Sequence, residues 1–328
     1  MTISSAMRAA AVALAASASL AAGAAQAEPL RLGMTTWVGY GPLFLARDMG
    51  FFKEYGVDVE LQIIEDASLY MAAVAAGNLE GNASTLDEIM KYRSPEFCFK
   101  AVVALDDSHG GDGVLVADGI NSLQDIKGKE VGMNEGSVSQ FWFNQLLTKE
   151  GMTEADVTIT NMTADDAAAA FIAGRIPVAV TWEPHLTLVR TQKTGKVLID
   201  SSTTPGAIVD VVDITCDYIE KHPDKVEGFV KGVYKAMDYI KAEPEKAYEV
   251  MAKGVGGYLS NPADFAGAAA GVRFYDRARN IEFFGTPEAG EAKDLMALGA
   301  KIWGGFGKLK MEIGYADLIE PKWLTVEP

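Results

Sequence analysis

From Leu30 onward short apolar stretches alternate with short helical ones, and a chain written in that rhythm can bury its strands only between layers of helix. Leu30–Met34 reads as a buried strand, 42–49 as a helix stopped by Gly50, and 57–64 as a strand on the alternation of Val57, Val59, Leu61 and Ile63. A helix over 70–76 closed by Gly77 and a buried strand over 101–105 follow. The rhythm resumes after Asp118, with strands over 130–134, 157–161 and 178–181 and helices over 139–149 and 165–173. Beyond His222 helices dominate, over Pro223–Ala242, 244–253, 261–271 and 287–302, each with a proline or capping residue near its start. The fold class is α/β with mostly parallel sheets flanked by helices.

Two segments echo one another. Ala72-Ala73-Val74-Ala75-Ala76-Gly77 leads to Asn82-Ala83-Ser84-Thr85, and Ala168-Ala169-Ala170-Phe171-Ile172-Ala173-Gly174 leads to Pro177-Val178-Ala179-Val180-Thr181-Trp182-Glu183. In both, an alanine-rich helix ends at glycine, a short apolar strand follows, and a polar tip comes last. Any α/β chain repeats some of this grammar. Two separate strand–helix sets bearing it point to two similar lobes, and a length of 328 residues suits two. Ligands bind beyond the carboxyl ends of strands in open α/β sheets, so two facing sets of tips make one cleft.

Residues 1–27 stand apart. One charge, Arg8, precedes an apolar, alanine-dominated run from Ala9 to about Ala22, and Ala25-Gln26-Ala27 offers a small-x-small cleavage pattern. The layout predicts a signal peptide and a periplasmic mature chain; an alanine-rich helix of the folded domain is the alternative. The net charge of −16 becomes −17 without Arg8, and an acidic chain lacking a basic patch repels phosphate backbones, which argues against nucleic acid as a partner. An oxidising compartment permits a disulfide between Cys98 and Cys216, although both also flank apolar runs where free cysteines sit buried.

Gly39-Tyr40-Gly41-Pro42-Leu43-Phe44-Leu45-Ala46, then Gly50-Phe51-Phe52-Lys53-Glu54-Tyr55-Gly56-Val57-Asp58-Val59, resembles the start of periplasmic solute-binding proteins of ABC importers. The branch is that for nitrate, taurine, alkanesulfonates and thiamine precursors. Asp125-Ile126-Lys127-Gly128-Lys129-Glu130-Val131-Gly132, Glu135-Gly136-Ser137 and Thr181-Trp182-Glu183-Pro184 continue the pattern. The resemblance implies a two-lobed, type II periplasmic-binding-protein fold joined by two crossover strands, closing on a small solute and docking as a monomer on an ABC permease. It implies lobe 1 over 28–111 and 208–328, and lobe 2 over 112–207. Leu105-Asp106-Asp107-Ser108 with Gly110-Gly111-Asp112-Gly113 is similar, more loosely, to importers associated with urea or guanidine breakdown.

Laid out on such lobes, the tips collect Thr36, Trp37, Tyr40, Ser84, Thr85, Asp106 and Asp107 from the first lobe, and Glu135, Ser137, Ser139, Trp182 and Glu183 from the second. Asp210 lies on the return crossover, 208–215. Acids recur at these tips without a single Lys or Arg. A nitrate or sulfonate site wants guanidinium donors or free helix N-termini. Carboxylates with Trp37, Tyr40 and Trp182 suit a guanidinium- or urea-like solute, by bidentate N–H pairing and cation–π attraction. The bland alternatives are that Glu135 and Glu183 cap helices, that Trp182 fills the core, and that 106–113 is a hinge loop. An anion-binding protein is the other functional reading, and a thiamine-precursor enzyme on this fold a third. For catalysis the chain offers only scattered His109, His185 and His222, with no Gly-x-Ser-x-Gly elbow and no phosphate-cradling glycine loop, so no catalytic residue and no cofactor is expected. A metal site from His109, Asp107 and Asp112 would lack a fourth ligand, so no metal is expected either.

Overall fold

The computed structural model describes residues 29–328, so the expected signal peptide, 1–27, lies outside the described residues. Eleven strands are described: β1 (Leu30–Met34), β2 (Val59–Ile63), β3 (Gly81–Thr85), β4 (Phe99–Ser108), β5 (Asp112–Val116), β6 (Glu130–Met133), β7 (Thr158–Asn161), β8 (Val178–Trp182), β9 (Lys196–Asp200), β10 (Val209–Thr215) and β11 (Val272–Phe274). They form two sheets, one ordered β11-β4-β10-β3-β1-β2 and the other β7-β6-β8-β5-β9. The architecture is two-lobed α/β, as expected, but the sheets are mixed rather than mostly parallel. β1 runs parallel to β2 and β3, and β6 parallel to β7 and β8. The remaining ladders are antiparallel.

The reason is the crossover. Having left one sheet, the chain enters the other through its middle, between two strands that run against it: β5 lies between β8 and β9, and β10 between β3 and β4. The two sheets therefore share one order, with β2-β1-β3-β10-β4 matching β7-β6-β8-β5-β9. The echoed sequence segments end in β3 and β8, which occupy equivalent places. The stretch 106–113 is not a loop: it is the end of β4 and the start of β5, with only 109–111 between them.

Helix formation follows local chemistry. Pro42, Pro223, Pro244 and Pro262 sit in the first turns of Gly41–Asp48, Pro223–Ala242, Pro244–Val255 and Pro262–Ala269, where the missing N–H costs nothing. The longest, Pro223–Ala242, buries Val226, Phe229, Val230, Val233, Tyr234, Met237 and Ile240 at helical spacing. It receives Phe52, whose ring stacks on Phe229 at 5.0 Å. A Cβ at Gly232 would lie 2.4 Å from the Phe52 ring, so this close approach depends on glycine. The Gly50-Phe51-Phe52 motif is thus a packing device of the first lobe.

Cys98 and Cys216 form a disulfide with their Cα atoms 5.4 Å apart, which decides between the two sequence alternatives. It joins the approach to β4 to the exit from β10, at the edge remote from the tips that meet the second lobe. Among the described residues no helix is long and apolar enough to cross a membrane. The bridge closes a separation of 118 residues, and on chain-entropy grounds its loss costs about 2–5 kcal/mol. Urea melts of Cys98→Ser/Cys216→Ser against the parent protein check this; unchanged midpoint and slope would show that the bridge contributes nothing to stability.

Candidate functional site

The parallel strands end, and the crossover strands begin, at the same edge of each sheet. Register places Asp210 opposite both Thr85 and Asp106, and Asp112 opposite Trp182. A cavity of about 30 Å³ lies between these edges, walled by Trp37, Tyr40, Tyr70, Thr85, Glu88 and Asp210 from the first lobe and by Asp112, Ser137, Val138 and Trp182 from the second, among others.

Side chains brace the walls. The Tyr40 hydroxyl donates to Asp210 Oδ1 at 2.6 Å, and Tyr70 donates to Glu88 Oε1 at 3.0 Å. Trp37 Nε1 donates to Asp106 Oδ1 at 3.2 Å, and Trp182 Nε1 reaches across the cleft to the Thr36 carbonyl at 3.0 Å. Gly39 makes this packing possible. A Cβ there would lie 2.2 Å from both Asp106 Oδ2 and Trp37 Nε1, so the motif glycine keeps the Trp37–Asp106 contact open.

No Lys, Arg or His is among the described residues walling the cavity, whereas three carboxyls are. Burial pushes Asp112 up to about 7, with Glu183 nearby adding to the shift. Burial also pushes Asp210 up to about 8, against the pull of the Tyr40 hydrogen bond. Asp106 is driven well above the usual carboxylate range by burial and by Asp210. Glu88 is raised by burial, while Lys91, Tyr70 and the Val138 N–H draw it back.

Of the ten residues expected to touch ligand, Trp37, Tyr40, Thr85, Ser137, Trp182 and Asp210 line the cavity. Four do not. Asp106 stands behind Trp37, fully buried. Asp107 points to the opposite face of β4, as successive strand residues must, and accepts from the Tyr275 hydroxyl at 3.2 Å. Glu135 is exposed, one residue beyond the wall position Asn134. Glu183 is a capping residue: Oε2 accepts from the Thr187 N–H at 2.9 Å and Oε1 from Arg190 at 2.7 Å. Sequence reading missed Tyr70 and Glu88, and it left Asp112 out of the expected ligand set. It also missed Lys91, a buried cation behind the wall whose ammonium sits 4.7 Å from the Trp303 ring centre. Among the described residues His109, Asp107 and Asp112 form no metal-ligating cluster, and His109 Nε2 accepts from Arg273 at 2.6 Å.

With this geometry in place, comparison with known proteins is informative. The model of the family described as "NMT1/THI5 like" matches residues 37–247, well over half of the chain. The chain belongs to the NMT1/THI5-like family. Among its relatives, a putative binding protein of Brucella abortus is 23% identical over 233 residues, covering 69% of this chain and 71% of that protein. A putative aliphatic sulfonates-binding protein of Bacillus subtilis is 24% identical over 231 residues, covering 69% of each. A Saccharomyces cerevisiae 4-amino-5-hydroxymethyl-2-methylpyrimidine phosphate synthase is 27% identical over 222 residues, covering 63% of this chain and 65% of that one. The fold matches the periplasmic aliphatic sulphonate binding protein of Escherichia coli with a TM-score of 0.72 at 18% identity, over 89% of this chain and 97% of that one. It also matches the periplasmic nitrate-binding protein of Synechocystis with a TM-score of 0.66 at 12% identity, over 87% and 83%. These neighbours establish the type II periplasmic-binding-protein fold.

Two predictions follow from the packing and the charges. Gly39→Ala forces Trp37 and Asp106 apart and costs about 1–3 kcal/mol, read by denaturant melts; a neutral result would mean that the turn yields freely. Asp112 and Asp210 hold protons in the folded state that the unfolded chain releases between about pH 4 and 8, so ligand-free stability falls as pH rises through that window. Asp112→Asn/Asp210→Asn flattens the fall, and an unchanged pH slope in that double variant would contradict the assignment.

Proposed function

We propose that this protein is the exported solute-binding component of an ABC importer, capturing a small nitrogen-rich cation of guanidinium type by lobe closure and delivering it to a membrane permease. The observation that carries the ligand class is the cavity wall itself: Glu88, Asp112 and Asp210 face the cavity, and no cationic side chain is among its described lining residues. Carboxyls of this kind, once ionised, repel nitrate and sulfonate and attract a cation. Carboxylates take paired N–H donors, and the Trp37, Tyr40 and Trp182 rings supply apolar and cation–π surface.

Segments 28–111 and 208–328 form one lobe in this reading and 112–207 the other. Their hinge lies at the two crossings, tied by Ser108 Oγ and Ser201 Oγ at 2.7 Å. The solute bridges both sets of tips, and its contacts favour the closed state, as any ligand-driven shift requires. Residues 1–27 serve as a signal peptide, and the mature protein works as a monomer in the periplasm. Capture of a small anion is the second reading, favoured by the names of the sulfonate- and nitrate-binding relatives and neighbours. An enzymatic role, as in the yeast synthases, has less support, because the cavity walls bring together carboxyls and aromatics but no histidine, lysine or cysteine.

Guanidinium at millimolar concentration is expected to raise the melting temperature more than urea, nitrate or taurine at equal concentration, and to be recovered unchanged. Greater stabilisation by nitrate or taurine refutes the cation reading. The pH dependence has a definite sign. A bound cation draws the pKa values of Asp112 and Asp210 down, so protons leave on binding and affinity rises with pH up to about 8, then levels. Calorimetric titration should show Kd falling by roughly tenfold or more from pH 6 to pH 8; a flat profile would count against ionisation of these groups on binding.

A further inference from the structure

We infer that Phe141 anchors the second lobe on the first beside the cavity, a positioning residue that holds the lobes together without solute and sets the lifetime of the bound state without touching the ligand. The inference rests on the two-lobe closure reading above and extends it from what the solute does to what the protein supplies by itself.

Val138–Lys149 follows the second-sheet strand β6, and the chain at its start gives Ser137 and Val138 to the cavity wall. Two faces of this helix serve different partners. Phe143 lies in the apolar core that contains Val131, Met133, Val178 and Val180 from strands of the second sheet. Phe141, two positions earlier and so turned away from that face, lies in another core. Every other described member of that core comes from 28–111 or 208–328, Ile89, Met90, Leu295 and Trp303 among them. Phe141 is fully buried there, and its ring stacks on the fully buried Trp303 with centroids 5.9 Å apart and planes 25° from parallel.

Trp303 is itself held in place. Its Nε1 donates to Asp87 Oδ2 at 3.2 Å, and the Lys91 ammonium packs 4.7 Å from its ring centre. Gly299 lets Glu291–Gly305 approach Leu86–Met90 closely, since a Cβ at 299 would lie 2.7 Å from Met90 Sδ. Lys91 also reaches the second lobe: a Cβ at Gly136 would lie 3.5 Å from its Nζ, so the ammonium rests against that turn. Gly136 and Phe141 bracket the wall residues Ser137 and Val138, and both are met from the first lobe.

The Trp182–Thr36 contact across the cleft is a hydrogen bond, and water replaces it at little net cost when the lobes part. Phe141 and Trp303 have no such substitute, because parting returns two apolar ring faces to water. The lobes therefore stay together on this flank before solute arrives. Solute contacts and the ring stack favour the same closed state, so a bound solute leaves only when Phe141 is released.

The test compares wild type, Phe141→Ala and Phe143→Ala, each shown to be folded by circular dichroism and a thermal melt. Small-angle X-ray scattering of dialysed, solute-free protein comes first, because it needs no knowledge of the ligand. Wild type should have the same radius of gyration with and without millimolar guanidinium. Phe141→Ala should be wider without solute and contract to the wild-type value with guanidinium. Phe143→Ala, truncated in the second lobe's own core, should lose stability and stay compact. Stopped-flow dissociation of guanidinium, followed by tryptophan fluorescence, should be about tenfold faster or more in Phe141→Ala and unchanged in Phe143→Ala. A solute-free wild type as wide as Phe141→Ala overturns the anchor, and so does equal widening by Phe143→Ala. Wild-type dissociation kinetics in a widened Phe141→Ala overturn its control of the bound lifetime. If guanidinium binds no variant, the cation reading falls alone, since the solute-free scattering still decides the anchor. Should Phe141→Ala fail to fold, Phe141→Val removes the ring with a smaller loss of bulk, and a compact solute-free Phe141→Val overturns the anchor in the same way.

Discussion

The cleft depends on where the two crossover strands begin. β5 and β10 each enter a sheet through its middle and against its parallel half, so each starts at the edge where its parallel neighbours end. An acid in the first turn of chain at either start is then carried into the cleft by topology alone. Asp112 opens β5 and Asp210 is the second residue of β10. Both are buried by the strands on either side, and that burial raises them far above ordinary carboxyls. The Tyr40–Asp210 hydrogen bond, the Trp37–Asp106 contact and the glycine at 39 all serve to pack the first lobe's tips around these acids.

Buried carboxyls without basic partners are costly as ions and tolerable as neutral acids. Burial therefore favours the protonated form of Asp112 and Asp210. Lys91 stands close enough to Glu88 to favour that group's charge, and Tyr70 and the Val138 N–H do the same. The acids on the crossover strands have less help: Tyr40 for Asp210 and Ser108 for Asp112. Glu88 thus has more neighbours favouring its ionised form than the two acids on the crossover strands have.

Most of the architecture was legible in the chain because apolar spacing and proline placement report burial directly. Strand β5 was not, since Gly110-Gly111-Asp112-Gly113 has the composition of a loop, and β9 and β11 are short and partly exposed. The residues around the cavity were legible to within a position or so. Asn134 rather than Glu135 and Trp182 rather than Glu183 reach the wall, because a turn or a capping role takes the next side chain elsewhere. Asp107 fell on the wrong side by strand alternation. Tyr70 and Glu88 were invisible for another reason: both lie on helices, and which helical face meets the cleft is set by packing on β1 and β3, with no local signal to announce it.

The unequal construction of the two sheets has a consequence for the order in which the molecule can be assembled. All five strands of the second sheet lie within residues 112–200, one unbroken stretch. The first sheet is missing a central member, β10, until residue 215 has emerged, and the edge strand β11 comes later still. A chain released from its N-terminus therefore completes the inserted unit while the unit that encloses it is still divided. The cleft, whose walls draw on both, is the last part of the molecule for which all the pieces are present.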